Sequence, residues 1–219
     1  MHLDILLLTL RVALIATLMN IPIAIAISWI LVKKKVRFGI ILDTLVSLPL
    51  ALPPVAIGFL LLLAFGREGP MGKIINLIVG VDIVFTWMAA VLASAVVSFP
   101  LVTRAIMVAM GNVDEQLEMS ARSLGAGTWK VLLTITIPLA YRGILAGMLL
   151  GFVRAMSEFG ATITFAGNIA GKTQTLPLAI YHSVQLRDDS TALQLIILCI
   201  VIATVTLVIH NRLLGKMKR

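Results

Sequence analysis

The chain is written as long apolar runs separated by short polar stops. The first run, from about Leu3 to Val32, is interrupted only by Arg11, Asn20 and Pro22, and Lys33, Lys34, Lys35 and Arg37 follow it at once. The second runs from about Ile40 to Phe65 with a proline break at Pro49, Pro53 and Pro54, and a Gly-rich connection of mixed charge follows from Gly66 to Asp82. The third covers about Phe85 to Met110, with Pro100 as a candidate kink. The fourth covers about Val131 to Phe159, with Pro138 as another candidate start. A semi-polar segment from Gly160 to Ser190 separates it from the fifth, about Thr191 to Leu214, and a basic tail closes the chain from Gly215 to Arg219.

Runs of this length match the roughly 20 residues that a helix needs to cross a bilayer. Runs such as Ile5 to Leu10 and Val55 to Phe65 do not alternate at period two, which argues against a barrel. Backbone groups in hydrocarbon must then be paired within each segment, so the pattern predicts an all-α integral membrane protein. The expected organisation is one transmembrane domain over residues 1–219 with about five crossings. A sixth arises if the broken second span counts as two helices, or if Gly160 to Tyr181 dips into the bilayer.

Composition agrees. Of 219 residues, 60% are hydrophobic and 13% charged, against about 25% charged in soluble domains. Mean hydropathy is +1.07. The net charge of +8 would point to nucleic acid in a soluble chain, but these lysines and arginines flank apolar spans, where the positive-inside rule expects them. The Lys33 to Arg37 cluster and the tail, with Lys216, Lys218 and Arg219, are therefore read as cytoplasmic. So is the polar stretch between spans three and four, bordered by Arg104, Arg122 and Lys130. Five crossings satisfy all three placements with the N-terminus outside and the C-terminus cytoplasmic. No cleaved signal peptide is expected, since the first run is too long and its lysines follow it. The single cysteine, Cys199, reads as a packing residue.

The polar stretch from Asn112 to Gly127 departs most from its surroundings. Val113, Leu117, Ala121 and Leu124 recur at helical spacing, Asp114, Glu115, Glu118 and Arg122 form the polar side, and Gly125 and Gly127 are helix stops. Trp129 suits a membrane interface. The spacing alone leaves two readings open: a surface helix that links two spans, or a helix that docks on something.

The residues Leu117 to Pro138 resemble the conserved cytoplasmic loop of binding-protein-dependent ABC importers. That loop reads Glu-Ala-Ala, three residues, Gly, nine residues, Ile, one residue, Leu-Pro. Gly125, Ile135 and Pro138 fall on its spacing, Ile137 takes the Leu position, and Ser120 and Ala121 take the alanine positions. The Glu position holds Met119, with Glu118 one residue earlier. Ser47 to Val55, Ser98 to Ile106, Ser157 to Phe165 and Thr175 to Tyr181 are similar to the molybdate/tungstate permease subfamily. Sulfate permeases share the scaffold.

The resemblance implies a type I importer permease fold and a coupling helix over about 112–127. The ATPase-coupling residues would be Glu118, Met119, Ser120, Ala121, Arg122, Leu124, Gly125 and Ala126. It implies a homodimer around a central path, two separate ATPase subunits that bind ATP and magnesium, and a soluble oxyanion-binding protein outside. It assigns no cofactor, metal, nucleic acid or catalytic residue to this chain.

Candidate path or gate residues are Ser98, Ser157, Glu158, Thr162 and Thr164, whose hydroxyls suit transient contact with an oxyanion. Glu158 has a competing reading as a carboxylate paired with Arg154 one turn back, because a fixed negative charge in the path would repel molybdate. Arg104 and Arg154 either help an anion along or anchor helix ends. Arg11 and Asp43 lie in or near spans without an assignable partner. Gly167 to Thr173 mimics a phosphate loop, but Ala166 stands where the first glycine belongs and no strand precedes it. His2, His182 and His210 are too scattered for a metal site. A stand-alone secondary transporter is the main alternative from another class, and it would call for inverted repeats.

Overall fold

The structure is a computed structural model that describes residues 2–33 and 37–215. Lys34 and Lys35, and the tail residues Lys216, Lys218 and Arg219, lie outside the described residues. The described residues form helices α1 (His2–Lys33), α2 (Gly39–Ala51), α3 (Pro54–Phe65), α4 (Pro70–Val79), α5 (Trp87–Gly111), α6 (Glu115–Ser123), α7 (Thr128–Val131), α8 (Ile137–Met156), α9 (Gly160–Phe165), α10 (Leu176–Gln185) and α11 (Asp189–Gly215). A π-helical stretch, Leu132–Thr136, joins α7 to α8.

Four of these segments are long and apolar enough to cross a membrane: Leu3–Lys33, Trp87–Gly111, Thr128–Met156 and Asp189–Leu213. Helices α2 and α3 make a fifth if counted together, bent by 111° at their break. The cause is local. Pro53 and Pro54 remove two N–H donors, and Leu52 must be extended before a proline. Large side chains such as Leu14, Ile23, Phe59, Leu60, Ile197 and Val205 are exposed along these helices, as expected of surfaces that meet lipid or another chain.

Helix α5 is the hub and packs against α1 and α8. Small residues let the backbones approach: a Cβ on Gly147 would meet Ala105 at 2.8 Å, and one on Gly151 would run into Val102. Asn20 of α1 donates to the Ala95 carbonyl at 2.9 Å and to Ser98 Oγ at 3.1 Å. Ser28 donates to the Thr103 carbonyl at 3.2 Å.

Two connections are more regular than the sequence reading allows. Gly66 to Asp82 contains α4, opened by Pro70 and closed by left-handed Gly80, and Gly160 to Ser190 contains α9 and α10. The fourth span is continuous from Thr128, ahead of both starts read from the sequence, because the π stretch carries the helix through to Pro138 without a break.

Candidate functional site

Helix α6 lies at the end of the bundle where α1 finishes and α5 gives way to α7 and α8. Asp114 caps it, accepting a hydrogen bond from the Gln116 N–H at 2.8 Å. It stops at Leu124, and the next residue, Gly125, adopts φ +87°. That conformation is open to glycine at no steric cost. The glycine therefore sets the angle at which the chain turns back into the fourth span.

The helix is amphipathic in an inverted sense. Its carboxylate Glu118 is 4% exposed, while Leu117 is 50%, Met119 55% and Leu124 89% exposed. Glu118 Oε1 lies 3.3 Å from Lys33 Nζ, whose side chain is only 4% exposed. The same oxygen accepts a hydrogen bond from Thr136 Oγ1 at 2.7 Å, and Lys33 Nζ also donates to the Val113 carbonyl at 3.2 Å. Arg122 stands 4.0 Å from the other carboxylate oxygen.

This buried pair has its remaining hydrogen-bonding capacity partly filled, as a desolvated ion pair requires. It joins three elements: the last residue of α1, the middle of α6 and the π stretch. Trp29 and Trp129, with ring centroids 5.2 Å apart, add an aromatic contact between α1 and α7.

The remaining residues read for coupling divide by exposure. Ser120, Arg122 and Gly125 are exposed, and Ala121 and Ala126 are half-buried. Of the apolar row read from the sequence, only Val113 faces the bundle closely; Leu117 and Leu124 face out. Lys33 and Thr136 were not among the sequence candidates. Lys33 carried a signal only as part of a basic cluster, and Thr136 carried none.

Four of the five path candidates fall at the corner between α8 and α9, and Ser98 lies on α5. Ser98 is fully buried, donates to the Ser94 carbonyl at 2.7 Å and receives Asn20. Ser157 is exposed and donates to the Arg154 carbonyl at 3.1 Å. Glu158 pairs with Arg154 at 2.8 Å, as the competing reading expected, but it is 2% exposed rather than interfacial. Its other oxygen accepts the Ala161 N–H at 2.9 Å, which closes the corner between α8 and α9. Thr164 donates to the Gly160 carbonyl at 2.9 Å. Thr162 is 1% exposed, and its hydroxyl has no protein partner.

Two unassigned charges find their places. Arg11 lies over the Trp87 ring at 4.0 Å, and Asp43 pairs with Arg104 at 3.0 Å. The phosphate-loop mimic is a turn closed by its own threonine. Thr173 Oγ1 accepts from the Ile169 N–H at 3.0 Å and donates to the Gly167 carbonyl at 3.1 Å. It follows α9, not a strand.

Comparison with known proteins supplies context for this geometry. The family model for binding-protein-dependent transport system inner membrane components matches residues 20–219. A molybdenum transport system permease protein, ModB, of Haemophilus influenzae is 45% identical over 97% of this chain and 93% of its own length. The ModB of Escherichia coli K12 is 45% identical over 94% and 90%. Among solved structures, the MetNI methionine ABC transporter in inward facing conformations matches with a TM-score of 0.72 at 13% identity. That match covers 100% of this chain and 94% of the other, a likeness of fold.

Proposed function

The chain belongs to the binding-protein-dependent transport system inner membrane components, and from that premise we propose that it is the permease subunit through which molybdate enters the cell. It is a multi-pass membrane protein with the helical architecture of an ABC importer permease. The two ModB relatives, alike over nearly the whole chain, support molybdate as cargo.

In this reading two copies pair around the path, and two ATPase subunits bind ATP and magnesium at the inner face. A soluble oxyanion-binding protein delivers cargo from outside. The permease itself performs no chemistry. The N-terminus lies outside and the C-terminus inside, so α6 meets the cytoplasm.

The observation that carries the mechanism is the inverted face of α6. A helix lying free on the surface would present Glu118 to water and turn Leu117 and Leu124 inward, because each apolar side chain left in water forgoes about 1.5–3 kcal/mol. An apolar face turned outward calls for a partner, and an ATPase groove is what this family offers. The Lys33–Glu118–Thr136 contact then carries the motion inward. When the ATPase dimer closes, α6 moves as a rigid piece, and the first and fourth spans move with it.

Vesicles carrying the permease, its ATPase and the binding protein test the reading. Uptake of labelled molybdate should require ATP and all three components, and sulfate should compete poorly. Uptake by the permease alone would instead identify a secondary transporter. Uptake of sulfate in preference to molybdate would identify a sulfate permease.

A further inference from the structure

Arg104 sits about seven residues, or roughly 10 Å at 1.5 Å per residue, inside the inner end of α5. Its neighbour Ala105 packs on Gly147, well within α8. At that depth the Arg104 side chain is 45% exposed, and its partner Asp43 on α2 is 35% exposed. Charges open to lipid at this level are expensive, and such groups face a water-filled space or another protein surface. Three other arginines of the spans are engaged differently. Arg154 holds buried Glu158 at 2.8 Å, Arg11 lies on Trp87 at 4.0 Å, and Arg142 donates to Tyr141 at 2.9 Å.

The contact to Asp43 is an ion pair with one hydrogen bond. One guanidinium nitrogen donates to Asp43 Oδ2 at 3.0 Å, and the other lies 3.0 Å from Oδ1, an oxygen buried without a hydrogen-bond partner. The first nitrogen also donates to Ser47 Oγ at 2.7 Å. A tetrahedral dianion presents the same feature as a carboxylate, two oxygens on one edge, to a planar guanidinium.

We propose that Arg104, held by Asp43 and Ser47, is an oxyanion-exchange site on the inner half of the path. The arriving dianion replaces the Asp43 carboxylate on the Arg104 guanidinium, and the Ser47 hydroxyl, released from Arg104, donates to it. Return of Asp43 to Arg104 then expels the anion. Asp43 thus serves as a built-in competitor that keeps the stop brief, as passage requires. Because Asp43 and Ser47 precede the proline break in the second span, exchange also frees α2 from α5 at this point.

The inference rests on the reading that this chain forms a molybdate path, so the test separates the two. Cys199 is the only cysteine, which makes a Cys199→Ser background available. In the full complex in vesicles, Ser47→Cys on that background should react with a membrane-impermeant, sulfonate-bearing thiol reagent. Millimolar molybdate should slow the reaction, and Arg104→Gln should remove that protection. In uptake assays Arg104→Gln should lower the rate about tenfold or more, the cost of losing one charge-assisted contact, while ATP hydrolysis persists.

A residue at 47 that never reacts, or reacts without protection in a complex that transports molybdate, overturns the exchange site and leaves the transport reading standing. Protection by sulfate equal to that by molybdate supports the site as one for tetrahedral dianions in general. A wild-type complex that takes up no molybdate overturns both.

Discussion

In the orientation proposed above, the outer and inner ends of the fourth span each bury a carboxylate against a cation, and the two pairs are built differently. At the outer end Glu158 holds Arg154 from one turn back and the N–H of Ala161 just ahead, all within a few residues of sequence. At the inner end Glu118 holds Lys33 from the far end of α1 and Thr136 from the π stretch, across three separate elements. The outer pair closes a corner. The inner pair ties an exposed helix to two spans at once. Burial alone therefore does not mark a working part. The reach of the contacts, and the apolar face they turn outward, distinguish the inner pair.

The largest expected effect comes from breaking the inner pair. Lys33→Met leaves buried Glu118 with only Arg122, 4.0 Å away, as a cation and should cost about 3 kcal/mol. Thermal unfolding in detergent should drop accordingly, and uptake should be lost. The double variant Lys33→Met, Glu118→Leu should recover most of the stability without restoring transport, since the connection between α6 and α1 stays cut. Recovery of both would reduce the pair to a packing device.

Gly58→Ala probes the outer corner by packing. A Cβ at Gly58 would meet the Ala161 carbonyl oxygen at 2.6 Å, and this backbone has little room to shift. A loss of about 1–3 kcal/mol is expected, read by the same unfolding assay. Glu158→Gln should be milder, about 1 kcal/mol, because the amide oxygen still accepts the Ala161 N–H and half-exposed Arg154 turns toward water. ATPase binding should be untouched in both. A loss of binding from either would show that the outer corner also bears on the inner face.

Much of this was legible in the sequence because lipid makes patterning coarse and strong. Five apolar runs, the bend at Pro53 and Pro54, and the stop at Gly125 follow from chain-local physics. Which way α6 faces does not. Helical spacing fixes that Leu117 and Leu124 share a side about 100° or more around the helix from Glu118, but a partner hidden in the basic cluster, Lys33, decides which side points inward. The Asp43–Arg104 pair was illegible for the same reason, since its members belong to spans whose rotation only packing sets. Helices α4 and α10 escaped because they are short, and glycine, proline and polar residues mask their periodicity. The Glu158–Arg154 pair, lying at helical spacing in one segment, was readable; its burial was not.

The account turns on the outward face of α6 and its C-cap, where Leu124 is the most exposed large apolar side chain. The deciding measurement is the affinity of the purified ATPase for wild-type permease and for Leu124→Asp, with unfolding measured alongside. A charged residue in a docked apolar face should weaken binding by about thirtyfold or more, while a surface change leaves stability within about 0.5 kcal/mol. Unaltered affinity in a well-folded variant would contradict the account, because the face that α6 turns outward would then have no ATPase to meet.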